Sequence, residues 1–215
     1  MQENLTHARA AVYVDGFNLY YGCIKGTRFR WLNIGQMCRL LLPDNEIVSI
    51  RYCTAMVSGR MGDPDKPVRQ QVYIRALKTI PHLVVSMGSF LSHPVQMRLT
   101  EQHPCGARYV KVVKTEEKGS DVNLATHLLH DAHLDRYDVG VVVSNDSDLL
   151  EPIRIVRQEL GKRIGILNPQ KHPCKALLSQ VNFFKQIRPG ILAKCQFPDE
   201  LTDDHGTIRK PDKWR

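Results

Sequence analysis

Residues 11–22, AVYVDGFNLYYG, decide how the rest of the chain is read. The run Ala11-Val12-Tyr13-Val14 suits a buried strand, yet it stops abruptly at Asp15, and Asn18 follows three residues later. In open α/β sheets, ligands bind beyond the carboxyl ends of the strands. A strand that ends in a carboxylate and then a carboxamide fits such an edge. Asp15-Gly16 is also an ordinary turn pair, so the weight falls on what else reaches the same edge.

Outward from this strand, strand and helix patterns alternate. Strands are expected at 47–57, 82–87, 109–113, 138–144 and 162–167, with an edge strand at 182–187. The 138–144 run, DVGVVVS, is continuously apolar, as expected for a strand covered on both faces of a parallel sheet. Helices are expected at 34–42 (stopped by Pro43), 65–79, 120–134 and 148–160, with a short one near 174–180. In the second of these Val68, Val72 and Leu77 recur at roughly helical spacing, and in the third Val122, Ala125, Leu128, Leu129 and Ala132 share a side. The pattern predicts a Rossmann-like α/β fold: a mostly parallel sheet, helices on both faces, one domain over 10–190. Residues 88–107 read as irregular. Residues 199–215 are polar and read as a mobile tail.

The bulk properties narrow the function. A chain of 215 residues, 42% hydrophobic and 24% charged, is long enough and apolar enough for one sizeable core. Residues 1–9 contain no apolar signal segment, and no apolar run approaches the roughly 20 residues that cross a bilayer. A cytoplasmic protein without a membrane partner is expected. Six cysteines without a C-x-x-C pair read as reduced, mostly buried thiols. The net charge of +8 is compatible with nucleic acid and equally with a solvated basic surface.

The candidate chemistry lies in the acids. Asp15 and Asn18 follow the first strand, Asp146 and Asp148 follow the 138–144 strand in SNDSD, and Asp121 opens a helix in KGSD. Carboxylates gathered in one cleft repel unless a cation neutralises them. Mg²⁺ or Mn²⁺, hard ions that prefer oxygen ligands, would serve. Such an ion activates water and stabilises charge on a phosphate under attack. Each acid also has a plainer account: Asp121 and Asp148 suit helix starts, and Asp148 with Glu151 fits a capping pattern. The convergence of all four on one predicted edge is what favours a site.

YVDGFNLYYG, KTEEKGSDVNLATHLL and DVGVVVSNDSDLLEPIRIVRQELGKRIGIL, taken together and in this order, resemble the NYN domain, a branch of the PIN-like metal-dependent nucleases. The resemblance implies a Rossmann-like sheet and a ribonuclease that hydrolyses RNA phosphodiesters with metal-activated water, leaving a 3′-hydroxyl and a 5′-phosphate. It implies that Asp15, Asp121, Asp146 and Asp148 bind Mg²⁺ or Mn²⁺ and that Asn18 orients a carboxylate or the water. Lys118, Arg28 and Arg30 are the expected contacts to RNA. A non-catalytic RNA-binding module and an oxidoreductase acting on aromatic compounds are the alternatives, and a homo-oligomer is compatible with all three.

Other signals carry less. LGKRIG lacks the Ser or Thr and the upstream glycine of a phosphate loop, and no G-x-G-x-x-G follows the first strand. His103-Pro104-Cys105 and His172-Pro173-Cys174 could supply zinc ligands or be loop chemistry. His127, His130 and His133 fall on the polar side of their helix. RFRW at 28–31 reads either as a base-stacking strip or as two half-buried aromatics.

Overall fold

The computed structural model describes residues 7–59, 61–101, 106 and 108–214. In chain order the first half comprises β1 (Ala8–Asp15), α1 (Gly16–Leu19), α2 (Ile34–Leu41), β2 (Asn45–Thr54), α3 (Lys66–Leu77), β3 (Leu83–Met87), β4 (Ser89–Arg98) and β5 (Tyr109–Lys118). The second half comprises α4 (Ser120–His133), β6 (Val139–Val143), α5 (Leu150–Arg154), β7 (Arg163–Asn168), α6 (Lys175–Leu178), β8 (Phe183–Gln186), α7 (Pro189–Lys194), β9 (Glu200–Asp203) and β10 (Gly206–Arg209). A π-helical turn, Tyr20–Ile24, continues α1.

β1 shows why the sheet is parallel and covered on both sides. Val12 and Val14 enter one apolar core and Ala11 and Tyr13 the other. Six strands run in the order β3-β2-β1-β6-β7-β8, and every pairing is parallel. Met37, Leu77 and Leu192 bring α2, α3 and α7 onto one face. Leu124, Leu128, Ile153 and Leu177 bring α4, α5 and α6 onto the other. The chain winds outward from β1 through β2 to β3, then returns to the other side of β1 at β6. That reversal opens a crevice at the carboxyl ends of β1 and β6, where doubly wound sheets bind ligands.

Three expectations are corrected. Val68 and Val122 are exposed rather than on the buried faces of α3 and α4. The true stripes include Ala76 and Leu77 in α3, and Leu124, Leu128 and Ala132 in α4. Residues 89–98, expected to be irregular, form β4, which pairs antiparallel with β5 from Ser89↔Lys118 to Arg98↔Tyr109 as a ribbon separate from the main sheet. Pro94 obscured this strand. A two-stranded ribbon is all edge, where a proline's missing N–H is tolerated.

The segment 200–214 is folded rather than a mobile tail. β9 and β10 pair as a hairpin, and Ile208 is buried. Arg75 of α3 clamps Asp203 through Nε at 2.7 Å and Nη2 at 2.5 Å. Trp214 packs on Trp31 and Tyr73, with ring centroids 6.2 and 6.1 Å away. Low apolar content hid this segment, although its few apolar residues, Leu201, Ile208 and Trp214, join the core on the α3 face of the sheet. Among the described residues, no helix is long and apolar enough to cross a membrane.

Candidate functional site at the carboxyl edge of the sheet

Pairing of Val14 with Val143 makes β1 and β6 end side by side, so Asp15 and Ser144 leave the sheet together. The Asp15 side chain is only 4% exposed. Its Oδ1 accepts the Asn18 N–H at 2.9 Å, capping α1, and its Oδ2 accepts the Ser144 hydroxyl at 3.0 Å. Gly16 is required by space: a Cβ there would lie 2.7 Å from the Tyr52 ring and 2.8 Å from the Cys53 carbonyl oxygen. The same close approach fixes the direction of the chain just after Asp15.

Two further elements deliver acids to this edge. Glu117 is the penultimate residue of β5, and its Oε1 accepts the Ser120 N–H at 3.0 Å and the Ser120 hydroxyl at 2.8 Å. Glu117 thereby caps α4, with Gly119 making the bend at φ +98°. Asp121 sits in the first turn of that helix. Beyond β6, Asp146 caps a short 3-10 turn, Ser147–Leu149, by accepting the Asp148 N–H at 3.0 Å. Asp15, Asn18, Glu117, Asp121 and Asp146 all line one cleft of about 570 Å³. Asp148 is exposed and does not line it.

Four of the five expected site residues thus share a cleft, and Glu117 joins them. Glu117 was missed because TEEK reads as a charged strand end, and only the alternation of β5 tells which acid faces inward. Ser144 was also passed over, although a polar residue ending an apolar run is the signal that marked Asp15.

The electrostatics reflect this crowding. Burial raises the Asp15 carboxyl above its ordinary value, opposed by the hydrogen bonds from Asn18 and Ser144. Asp121 is pushed up to about 6, first by burial, then by repulsion from Asp15, Asp146, Glu117 and Asp148. Among the described residues, no three His, Cys, Asp or Glu side chains meet closely enough to ligate one ion together. The donor set nevertheless fits Mg²⁺ or Mn²⁺. It offers only hard oxygens that repel one another, and Mg²⁺ is commonly held by one or two carboxylates with the remaining contacts through water.

Asn18 also belongs to the scaffold of the cleft. Its carboxamide oxygen accepts the Asn145 N–H at 3.2 Å and lies 3.5 Å from Gln170 Nε2. Asn145 in turn donates to the His172 carbonyl at 3.0 Å and accepts the Cys174 N–H at 2.7 Å. Asn18 therefore ties the loops after β6 and β7 to the first helix, and His172-Pro173-Cys174 is one of the tied segments. His103-Pro104-Cys105 lies outside the described residues.

The expected RNA contacts are redistributed. Lys118 follows Glu117 in a strand, so it points to the opposite face of the ribbon, where it pairs with Glu116 at 3.2 Å; it does not line the cleft. Arg28 is exposed and stacks over Phe29 at 5.5 Å, outside the cleft. RFRW is not an exposed stacking strip, because Trp31 is fully buried and donates to the Pro198 carbonyl at 2.8 Å. Arg30 lines a second cavity beside the first. Lys66, absent from the expected set, lines both cavities. The thiols of Cys23, Cys38 and Cys53 are each pushed up to about 12 by burial, which leaves them unreactive near neutral pH.

Comparison with known proteins agrees with this architecture. The chain is 29% identical to 6-hydroxy-3-succinoylpyridine 3-monooxygenase HspA of Pseudomonas putida, across 96% of this chain and 75% of that protein. The crystal structure of a protein of unknown function from Vibrio parahaemolyticus shares the fold, with a TM-score of 0.57 and 20% identity over 88% of this chain and 98% of that one. Residues 9–187 match the NYN domain. With most of its length inside that match, and with β1, α4 and β6 bringing their acids to one edge, the chain belongs to the NYN domain family.

Proposed function

We propose that the protein is a divalent-metal-dependent endoribonuclease. The observation that carries this reading is the cleft at the β1/β6 crevice, where Asp15, Glu117, Asp121 and Asp146 converge and where burial, and then the neighbouring acids, push the Asp121 carboxyl up to about 6. Asp15, Asp121 and Asp146 would hold Mg²⁺ or Mn²⁺, with Asp148 contributing charge from the rim. When bound, the ion supplies water activation and neutralises charge on the phosphate. The chain's own groups fix the geometry. Ser144 and the Asn18 backbone hold the Asp15 carboxylate, and the Asn18 carboxamide holds the loop that carries Asp146. In the reaction a water oxygen bonds to phosphorus as the P–O3′ bond breaks. One water proton ends on the departing 3′-oxygen, and the other is released from the new 5′-phosphate.

Asp146→Asn tests this reading. Asn keeps the shape and can still accept the Asp148 N–H, so folding is retained. One negative charge leaves the cleft, and cleavage falls by about 100-fold or more. RNA affinity in EDTA holds or rises, since a charge that repels phosphate is gone. A variant that melts normally and cuts RNA as fast as the parent would show that Asp146 only starts a helix.

A second reading, an oxygenase acting on heteroaromatic compounds, is favoured by the name and the long alignment of the Pseudomonas putida relative. Substrate-dependent consumption of NADH and O₂ by the purified protein, without RNA cleavage, would select it.

A further inference from the structure

α3 presents Lys66, Arg69, Gln70 and Tyr73 along one side, at the i, i+3, i+4, i+7 spacing of a helix face. This side forms a wall of a half-enclosed cavity of about 400 Å³, within the range of small-molecule and nucleotide pockets. Tyr20, Tyr21, Tyr52 and Trp214 also line it, so much of the cavity is aromatic. Gln70 shapes the rim by accepting the Val57 N–H at 2.8 Å and donating to the Ala55 carbonyl at 2.9 Å.

The cations here are not equivalent. Arg69 and Lys213 are both engaged by Asp63, at 2.6 and 2.7 Å. Arg30 lines the cavity and forms no ion pair or side-chain hydrogen bond among the described residues. Lys66 forms no ion pair or side-chain hydrogen bond among the described residues. Two cations in one cavity without a protein partner among the described residues favour an anionic ligand, whose charge-assisted hydrogen bonds they can make. Phe17, Tyr21 and Val57, together with Lys66, line both this cavity and the acid cleft, so the two chambers are joined.

We propose that the aromatic cavity is a nucleotide pocket. It takes the base of one unpaired nucleotide against the tyrosine and tryptophan rings, places the attached phosphate on Arg30 and Lys66, and leads the chain into the acid cleft. This rests on the ribonuclease reading and adds a substrate class to it. Aromatic rings accept any base by stacking. A walled chamber admits a base only once it has left its duplex. The substrate is therefore RNA with unpaired nucleotides next to the bond that is cut.

The test uses the full chain in EDTA, where binding is read without cleavage. AMP, GMP, CMP and UMP are titrated by calorimetry, alongside nicotinate as a small aromatic acid. Saturable binding of the nucleotides is expected, weakened about tenfold or more by Lys66→Met, which removes the shared cation, and by Tyr21→Ala, which removes a largely exposed ring at the junction. Arg30→Met, with a melting curve to establish folding, should weaken binding similarly. In Mn²⁺, a single-stranded oligoribonucleotide should be cut at least about tenfold faster than the same sequence in a duplex. Nucleotide binding that is absent or unchanged in Lys66→Met and Tyr21→Ala overturns the pocket, as does equal cleavage of both substrates or binding of nicotinate alone. If nucleotides bind as expected but the parent cuts no RNA, the pocket stands and the ribonuclease reading falls. If RNA is cut but nucleotides do not bind, the reverse holds.

Discussion

Replacing Asp121 by Asn should make the metal-free protein more stable at neutral pH. The Asp121 carboxyl accepts no hydrogen bond from the described residues; burial, and then the charges of four other acids, move it from its ordinary 3.8 to about 6. Between about pH 4 and 6 the folded protein holds a proton that the unfolded chain has released, so stability falls as pH rises through that window. The full displacement corresponds to about 3 kcal/mol. Asp121 is only half-buried, and solvent screening reduces this to about 1–2 kcal/mol. For a chain of this size that is a difference of roughly 3–6 °C in melting temperature. The assay is a series of melting curves from pH 4.5 to 7.5 in EDTA for both proteins, repeated with Mg²⁺. The parent should lose stability relative to Asp121→Asn as pH rises, and Mg²⁺ should restore the parent more than the variant. A parent that stays parallel to the variant across this range, or a variant that melts lower at pH 7 without metal, would refute the crowding argument.

Three other outcomes follow from the geometry. Ser144→Ala removes the hydroxyl that donates to Asp15 and should cost about 1–3 kcal/mol, measured by urea unfolding, since both groups are buried. Trp214→Ala should destabilise by about 2 kcal/mol and increase the solvent exposure of Trp31, seen as a red shift in fluorescence, because Trp214 covers that ring. RNA affinity measured in EDTA should fall steeply with added salt, through release of counterions from the phosphates.

What the sequence made legible depended on how local the determinant was. β1 and β6 could be read directly, because a strand buried on both faces must be apolar throughout. The position of Asp15, Asp121 and Asp146 followed, since each stands at, or within three residues of, the end of a readable element. The ribbon of β4 and β5 could not be read this way. It is held by pairing between strands instead of by a buried face, and its alternation leaves Leu91, Met97 and Val113 exposed. The direction of Lys118 depends on that same alternation, which runs past the strand expected at 109–113. Lys66 escaped notice because the helix was read by its apolar residues, while the face that matters is the polar one carrying Arg69, Gln70 and Tyr73. The folded end was invisible for a related reason: Trp214 finds Trp31 across the whole length of the chain, and no local pattern reports such a contact.

The most direct test of the central claim is anomalous diffraction from crystals grown or soaked with MnCl₂. The account predicts a peak in the cleft at the ends of β1 and β6, within bonding distance of at least one of Asp15, Asp121 and Asp146, that weakens or disappears in Asp146→Asn. Mn²⁺ bound only elsewhere, or a cleft without a peak at a concentration that supports cleavage, would contradict it.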